Sequence, residues 1–168
     1  MAVGALVGTF VAVGTLVGAG VGVAAETTGT TVGATHDFTP SCSSGSTAPE
    51  RVFTLTVPGN LSSLTVDTAG STYDTVLYIK GNDCGGPDLA CNDDSGGLQS
   101  QVMLTNAAAG TYFIFVDGFS SSSGPFMLHV AGIISAGQAC DPVQIQAGIL
   151  TCAAGTTCTS SGSSSICQ

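Results

Sequence analysis

Positive charge is almost missing from this chain: Arg51 and Lys80 are the only basic residues, against nine Asp and two Glu, for a formal net charge of -9. Proteins grip nucleic acid by displacing counterions with lysine and arginine, so DNA and RNA are excluded as partners. Anionic membrane surfaces are disfavoured by the same repulsion. Cations are the natural counterpart, because bound cations relieve the self-repulsion of an acidic chain. Tryptophan is absent and aromatic residues make up only 6%. Sugar-stacking platforms are therefore hard to build, which argues against a glycosidase even though paired carboxylates could be found. No Cys-x-x-Cys occurs, removing zinc-ribbon and thioredoxin-like readings. No Gly-x-Ser-x-Gly elbow, Gly-rich phosphate loop with its lysine, or regular EF-hand loop is present.

What is present is apolar and small. Hydrophobic residues make up 43% of the 168 positions and fall in short alternating runs, enough for a packed core. Gly, Ser and Thr are abundant while Lys, Glu and Gln are scarce, a composition of strands and turns. Seven cysteines in a chain of this size fit an oxidising compartment.

Met1 to Ala25 carry no charge, and Val23 and Ala25 before Glu26 suit a signal-peptide cleavage site. The usual positive start is missing, and six glycines weaken the stretch as a helix. The expectation is an apolar export signal. A membrane anchor, with Gly4/Gly8 and Gly14/Gly18 at small-xxx-small spacing, is one alternative. A strand using Val11, Val13, Val17, Ala19, Val21 and Val23, in a fragment of a longer precursor, is the other.

From 26 to 50 the chain reads as a Thr/Ser/Gly-rich leading loop, with an edge strand around Thr30 to Ala34. Strands are expected at 52–57, where Phe53, Leu55 and Val57 share a face, and at 61–66, where Leu64 and Val66 point inward. Further strands are expected at 75–80, 101–105, 111–116 and 126–130, with a Gly/Asp/Cys-rich loop at 81–97. The nearly continuous apolar run 111–116 marks a central strand covered on both faces. Six or seven short strands without a helical period give an all-β, antiparallel sandwich or jelly roll. Residues 26–132 form this sandwich. Residues 133–168, with four of the cysteines, form a tail too poor in large apolar side chains to have its own core.

Several stretches carry a family resemblance: Asp37-Phe38-Thr39-Pro40-Ser41-Cys42, Phe53-Thr54-Leu55, Tyr73-Asp74-Thr75-Val76-Leu77-Tyr78 and Leu89-Ala90-Cys91-Asn92-Asp93-Asp94. Ala109-Gly110-Thr111-Tyr112, Val116-Asp117-Gly118 and Gly124-Pro125-Phe126-Met127-Leu128 continue it. In that order, from about Thr28 to Val130, the chain resembles the bacterial pre-peptidase C-terminal domain family. The resemblance implies a jelly-roll sandwich in a secreted bacterial protein, a non-catalytic accessory module often found beside proteases, with calcium bound in some related modules. Ala69 stands where some relatives carry a cysteine, which leaves Cys42 as the unpaired candidate.

Chemistry is best sought in the loop Asn82 to Asp94. Cys84 and Cys91 close it, and a disulfide there would contribute roughly 2.5 kcal/mol in the chain-entropy model. Asn92, Asp93 and Asp94 would then be held in place as oxygen ligands for calcium, with Asp74 and Asp117 at strand ends completing the set. The competing reading is that these residues cap turns. In the tail, Cys140, Cys152, Cys158 and Cys167 are expected to form disulfides, in any of three pairings. His36 and His129 lack metal-motif spacing, and His129 is expected to point outward between Leu128 and Val130. Asn60-Leu61-Ser62 is a glycosylation sequon.

The sequence therefore leads to a secreted, non-enzymatic module at the cell surface or outside it. It would bind an extracellular protein, polymer or surface, with calcium as its expected cofactor and membrane contact only if residues 1–25 are an anchor. The alternative is a self-assembling structural or surface protein, suggested by the Gly/Val-rich start, the Ser/Thr-rich surface and the odd cysteine.

Overall fold

The computed structural model describes residues 25–168 and the backbone of Gly8–Thr9. The export signal, anchor or strand expected within residues 1–25 falls, apart from Gly8–Thr9 and Ala25, outside the described residues. No described helix is long and apolar enough to cross a membrane.

Strands follow one another from β1 (Gly8–Thr9), β2 (Ala25–Thr30), β3 (Arg51–Val57) and β4 (Leu61–Asp67) to β5 (Thr75–Gly81) and β6 (Asp88–Asn92). Then come β7 (Gln101–Thr105), β8 (Gly110–Gly118) and β9 (Pro125–Ile134). One sheet has the order β1-β3-β8-β5-β6. The other places β7 beside β4 and β4 beside β9, whose far side is taken by β2. Apart from the short parallel contact of β1 with β3, these pairings are antiparallel. The expected antiparallel β-sandwich is thus what the chain forms.

Side-chain alternation explains the packing. Leu55, Val57, Leu77, Ile79, Ile114 and Val116 project inward from the first sheet and meet Leu64, Val66, Val102, Leu128 and Val130 from the second. β8 is central, between β3 and β5, as its apolar run implied. On the outer face of the first sheet, Val76, Tyr78 and Phe115 form a separate cluster. Residues 31–50 fold over it, and Phe38 sets its ring edge-on to Phe115 at 5.0 Å. This cover is why every residue from Thr75 to Lys80 is buried. The apolar run there reflects two hydrophobic faces, one against the second sheet and one against the covering segment.

Two elements differ from the sequence reading. The edge strand lies at Ala25–Thr30 instead of 30–34, because Gly33 adopts φ 78° and the amide of Ala34 turns back to the carbonyl of Thr31. β6 falls inside the stretch read as a loop. It is an edge strand whose ladder with β5 shifts register between Ile79 and Lys80, and its polar residues hide the alternation.

The cysteine assignment also changes. Cys42 is bonded to Cys91, and Cys84 is the free thiol, so both the expected Cys84–Cys91 loop and the unpaired Cys42 are corrected. The reason is the covering segment, which lays Cys42 over the outer face of β6. Ser41 donates its amide to Asp88 Oδ2 at 2.8 Å beside it.

In the tail, Cys140 pairs with Cys158 and Cys152 with Cys167. The short helix α1 (Pro142–Gln146) is capped by Asp141, which accepts the amide of Val143. β10 (Leu150–Cys152) then pairs parallel with the end of β9, and β11 (Cys158–Ser161) with β12 (Ser164–Cys167). Ile149, Leu150, Cys140 and Cys167 are buried in the sandwich's own hydrophobic cluster. Gly132 makes this docking feasible, because a Cβ there would come within 2.5 Å of Leu150 Cδ2.

Candidate metal centre

Asp74 immediately precedes β5, and Asp93 and Asp94 immediately follow β6. Since β5 and β6 pair antiparallel, the start of one and the end of the other lie together. A buried polar knot fixes this corner. The Thr68 and Thr75 hydroxyls are 2.7 Å apart, and both accept the amide of Ser100. The Ser100 hydroxyl contacts the carbonyls of Thr75 and Asp93. Asp74 accepts the amide of Phe119 on its carbonyl at 3.1 Å. With their backbones held this way, the carboxylates of Asp74, Asp93 and Asp94 each offer an oxygen within 4.8 Å of the others.

Asp74 Oδ1 and Asp93 Oδ1 are both buried without a hydrogen-bond partner. Burial pushes the Asp74 carboxyl above the usual range, and the charge of Asp94 adds to it. Asp93 is raised first by burial and then by Asp94 and Asp74. Three converging carboxylates with unsatisfied oxygens suit a hard cation: calcium takes 6–8 oxygen ligands at 2.3–2.6 Å, and mutual separations of a few ångström among them follow.

The other two residues expected here do not join them. Asn92 spends its side chain on the backbone, accepting the amide of Gln101 at 3.0 Å and donating to the carbonyl of Asp94 at 3.1 Å. It shapes the loop. Asp117 lies on the outer face of β8, fully buried, with Oδ1 accepting the amide of Gly118. It is absent from the carboxylate group because its strand position puts it under the covering segment. Glu50, also buried there, was missed by sequence reasoning. A lone glutamate before a strand gives no signal until the strand register is known.

The histidines are used structurally. His36 donates from Nδ1 to the carbonyl of Ala48 at 3.0 Å. His129 points away from the core between Asp67, 2.8 Å away, and Glu26, 3.4 Å away. Neither ring contacts a serine hydroxyl or a thiol among the described residues, so the parts of a nucleophile–base pair are not assembled there.

Fold and corner together define an antiparallel, disulfide-bearing β-sandwich with an acidic end. Residues 49–118 match the model of the bacterial pre-peptidase C-terminal domain family. Among solved structures, the pre-peptidase C-terminal domain of a collagenase from Bacillus anthracis is similar at 16% identity. That match covers 66% of this chain and 90% of that one with a TM-score of 0.45. PliG of Aeromonas hydrophila, a periplasmic inhibitor of g-type lysozyme, is also similar at 16% identity, covering 68% and 90% with a TM-score of 0.42. No curated protein matches the chain.

Proposed function

We propose that this protein is a secreted, non-catalytic accessory module that binds an extracellular protein, polymer or surface, with calcium at Asp74, Asp93 and Asp94 rigidifying the presenting end. The observation that carries the reading is the convergence of three carboxylates on one fixed corner with two buried oxygens lacking partners. The family match supports the accessory role. Three disulfides support folding in an oxidising compartment, hence an extracellular or surface location. A bound calcium would contribute by linking the loop after β6 to the start of β5, and it would offset part of the acidic excess.

The test is thermal unfolding of the full chain in calcium and in chelator. A saturable rise in melting temperature that disappears in Asp93→Asn/Asp94→Asn supports the reading, since binding to the native state adds stability by mass action. Superimposable melts would sink the calcium role.

The self-assembly alternative drew on the Gly/Val-rich start and the Ser/Thr-rich surface as well as on an odd cysteine. That cysteine is Cys84, half-buried against the Val76–Tyr78–Phe115 cluster, which makes it a poor handle for crosslinking copies. The accessory reading is preferred.

A further inference from the structure

Arg51 faces Val116 in the β3–β8 ladder, so continuing the antiparallel register by one residue sets Glu50 opposite Asp117. Asp117 has Val76 of β5 on its other side. Directly opposed residues on one face have Cβ atoms about 4.5–5.5 Å apart. Both carboxylates are buried, Asp117 at 0% exposure and Glu50 at 6%.

Each has one oxygen engaged. Glu50 Oε1 accepts the amides of Asp37 at 2.8 Å and Phe38 at 3.0 Å, and so ties the covering segment to β3. Asp117 Oδ1 accepts the amide of Gly118 at 2.7 Å. Glu50 Oε2, Asp117 Oδ2 and the Tyr78 hydroxyl are left buried without hydrogen-bond partners. Two bare carboxylates side by side and away from water repel, and one of them must be neutralised. Calcium would need six to eight oxygens, whereas only three side-chain oxygens here are left unengaged. A proton needs only two.

We propose that Glu50 and Asp117 share one proton between Oε2 and Oδ2, and that this proton latches the Asp37–Phe38 stretch of the covering segment and loosens it as pH rises past neutrality, while the Cys42–Cys91 bridge keeps the rest of the segment in place. When both groups ionise, repulsion drives Glu50 from Asp117, and the Asp37 and Phe38 amides lose the carboxylate that holds them.

The surroundings agree. Burial, and after it the charge of Glu50, pushes the Asp117 carboxyl up to about 7, against the opposing pulls of the Gly118 amide and of the nearby Tyr78 hydroxyl. Burial also raises Glu50, opposed by the amides of Asp37 and Phe38 and by His36, while the Asp37 charge adds to the rise. From the covering segment His36 faces the pair, its Nδ1 3.7 Å from Glu50 Oε2. From the β5 side come Tyr78 and, before the strand, Tyr73, whose hydroxyl donates to the Asp117 carbonyl. Further along the same face Lys80 is already matched by Asp88. A carboxyl raised in the native state holds a proton there that the unfolded chain has lost. Its contribution is therefore present at acidic pH and disappears as pH climbs from the ordinary carboxylate range to about 7.

This inference does not rest on the calcium corner, and its test separates the two. Carboxyl carbon NMR on the full chain should show Asp117 titrating near neutrality, and Glu50→Gln should weaken its proton affinity by about tenfold or more. Amide exchange, corrected for the intrinsic pH effect, should show Asp37 and Phe38 losing protection above pH of about 7 in the native protein. Asp117→Asn should keep them protected on both sides of neutrality. An Asp117 that titrates in the ordinary range, or protection that is indifferent to pH, overturns the latch. So does an Asp117 resonance that calcium shifts at fixed pH, because a metal would then occupy the proton's place.

Discussion

The Lys80 ammonium sits 2.8 Å from Asp88 Oδ1 and also donates to the carbonyl of Gly86, closing the β5–β6 hairpin from within. The same ammonium lies 5.7 Å from the Tyr78 ring centroid and 5.9 Å from that of Phe115. Burial works against the Asp88 carboxylate, but hydrogen bonds from Lys80 and Ser41 and the lysine charge outweigh it, holding the group below the usual range. With both side chains more than nine-tenths buried, removing one strands the other. Lys80→Met is expected to cost about 3–5 kcal/mol, read by urea denaturation. Adding Asp88→Leu should return much of that loss.

Disulfide mapping will find Cys42 joined to Cys91 and one thiol, Cys84, open to labelling after non-reducing denaturation. The bridge spans a sequence separation of 49, so the chain-entropy model assigns it about 4 kcal/mol. Cys42→Ser should lose most of that amount, whereas Cys84→Ser should cost roughly 1 kcal/mol or less. A Cys84–Cys91 peptide in the digest would refute the assignment.

Calcium and pH should act on the acidic corner in opposite senses. Asp74 and Asp93 are raised by burial and by neighbouring carboxylates. In chelator, their contribution is therefore lost as pH rises out of the ordinary carboxylate range. Calcium displaces those protons, so the stabilisation it confers should grow over the same range. At one hundred times its dissociation constant it would add about 2.7 kcal/mol, or roughly 5–10 °C for a chain of this size. In chelator, Asp93→Asn should melt no lower than the native protein, because a like-charge repulsion has been removed.

Tail docking can be tested through Leu150, which is fully buried. Leu150→Ala is expected to cost about 2–5 kcal/mol. Gly132→Ala alone should cost about 1–3 kcal/mol by crowding the same leucine. Combined, the two should cost less than their sum, since the smaller side chain vacates the space the new methyl needs. Strict additivity in equilibrium denaturation would argue that the two residues do not meet.

The sequence showed the inner strands more clearly than the outer ones, for a physical reason. β5 and β8 are apolar on both faces, β3 alternates over Phe53, Leu55 and Val57, and β4 does so only after the irregularity between Leu61 and Ser63, so for these strands local pattern and burial largely coincide. β6 is a polar edge strand with a shifted register and carries no such pattern. The partner of Cys91 was not legible, because it depends on where a loop some fifty positions earlier comes to rest. Asp93 and Asp94 were visible as a run of carboxylates, and Asp74 as one at a strand boundary. Asp117 looked equivalent to Asp74 by that criterion. Only the parity of β8 and the cover above it distinguish the two, and the same geometry brings Glu50 into play.

β9 has one flank filled by two different parts of the chain: β2 along Pro125–Val130 and β10 along Gly132–Ile134. Neither strand alone spans it. A protease that clipped the tail away would uncover a row of unpaired backbone amides and carbonyls at the far end of β9, a template for another chain to add to. The stapled tail therefore serves the sandwich as a guard against unwanted assembly as well as a source of stability.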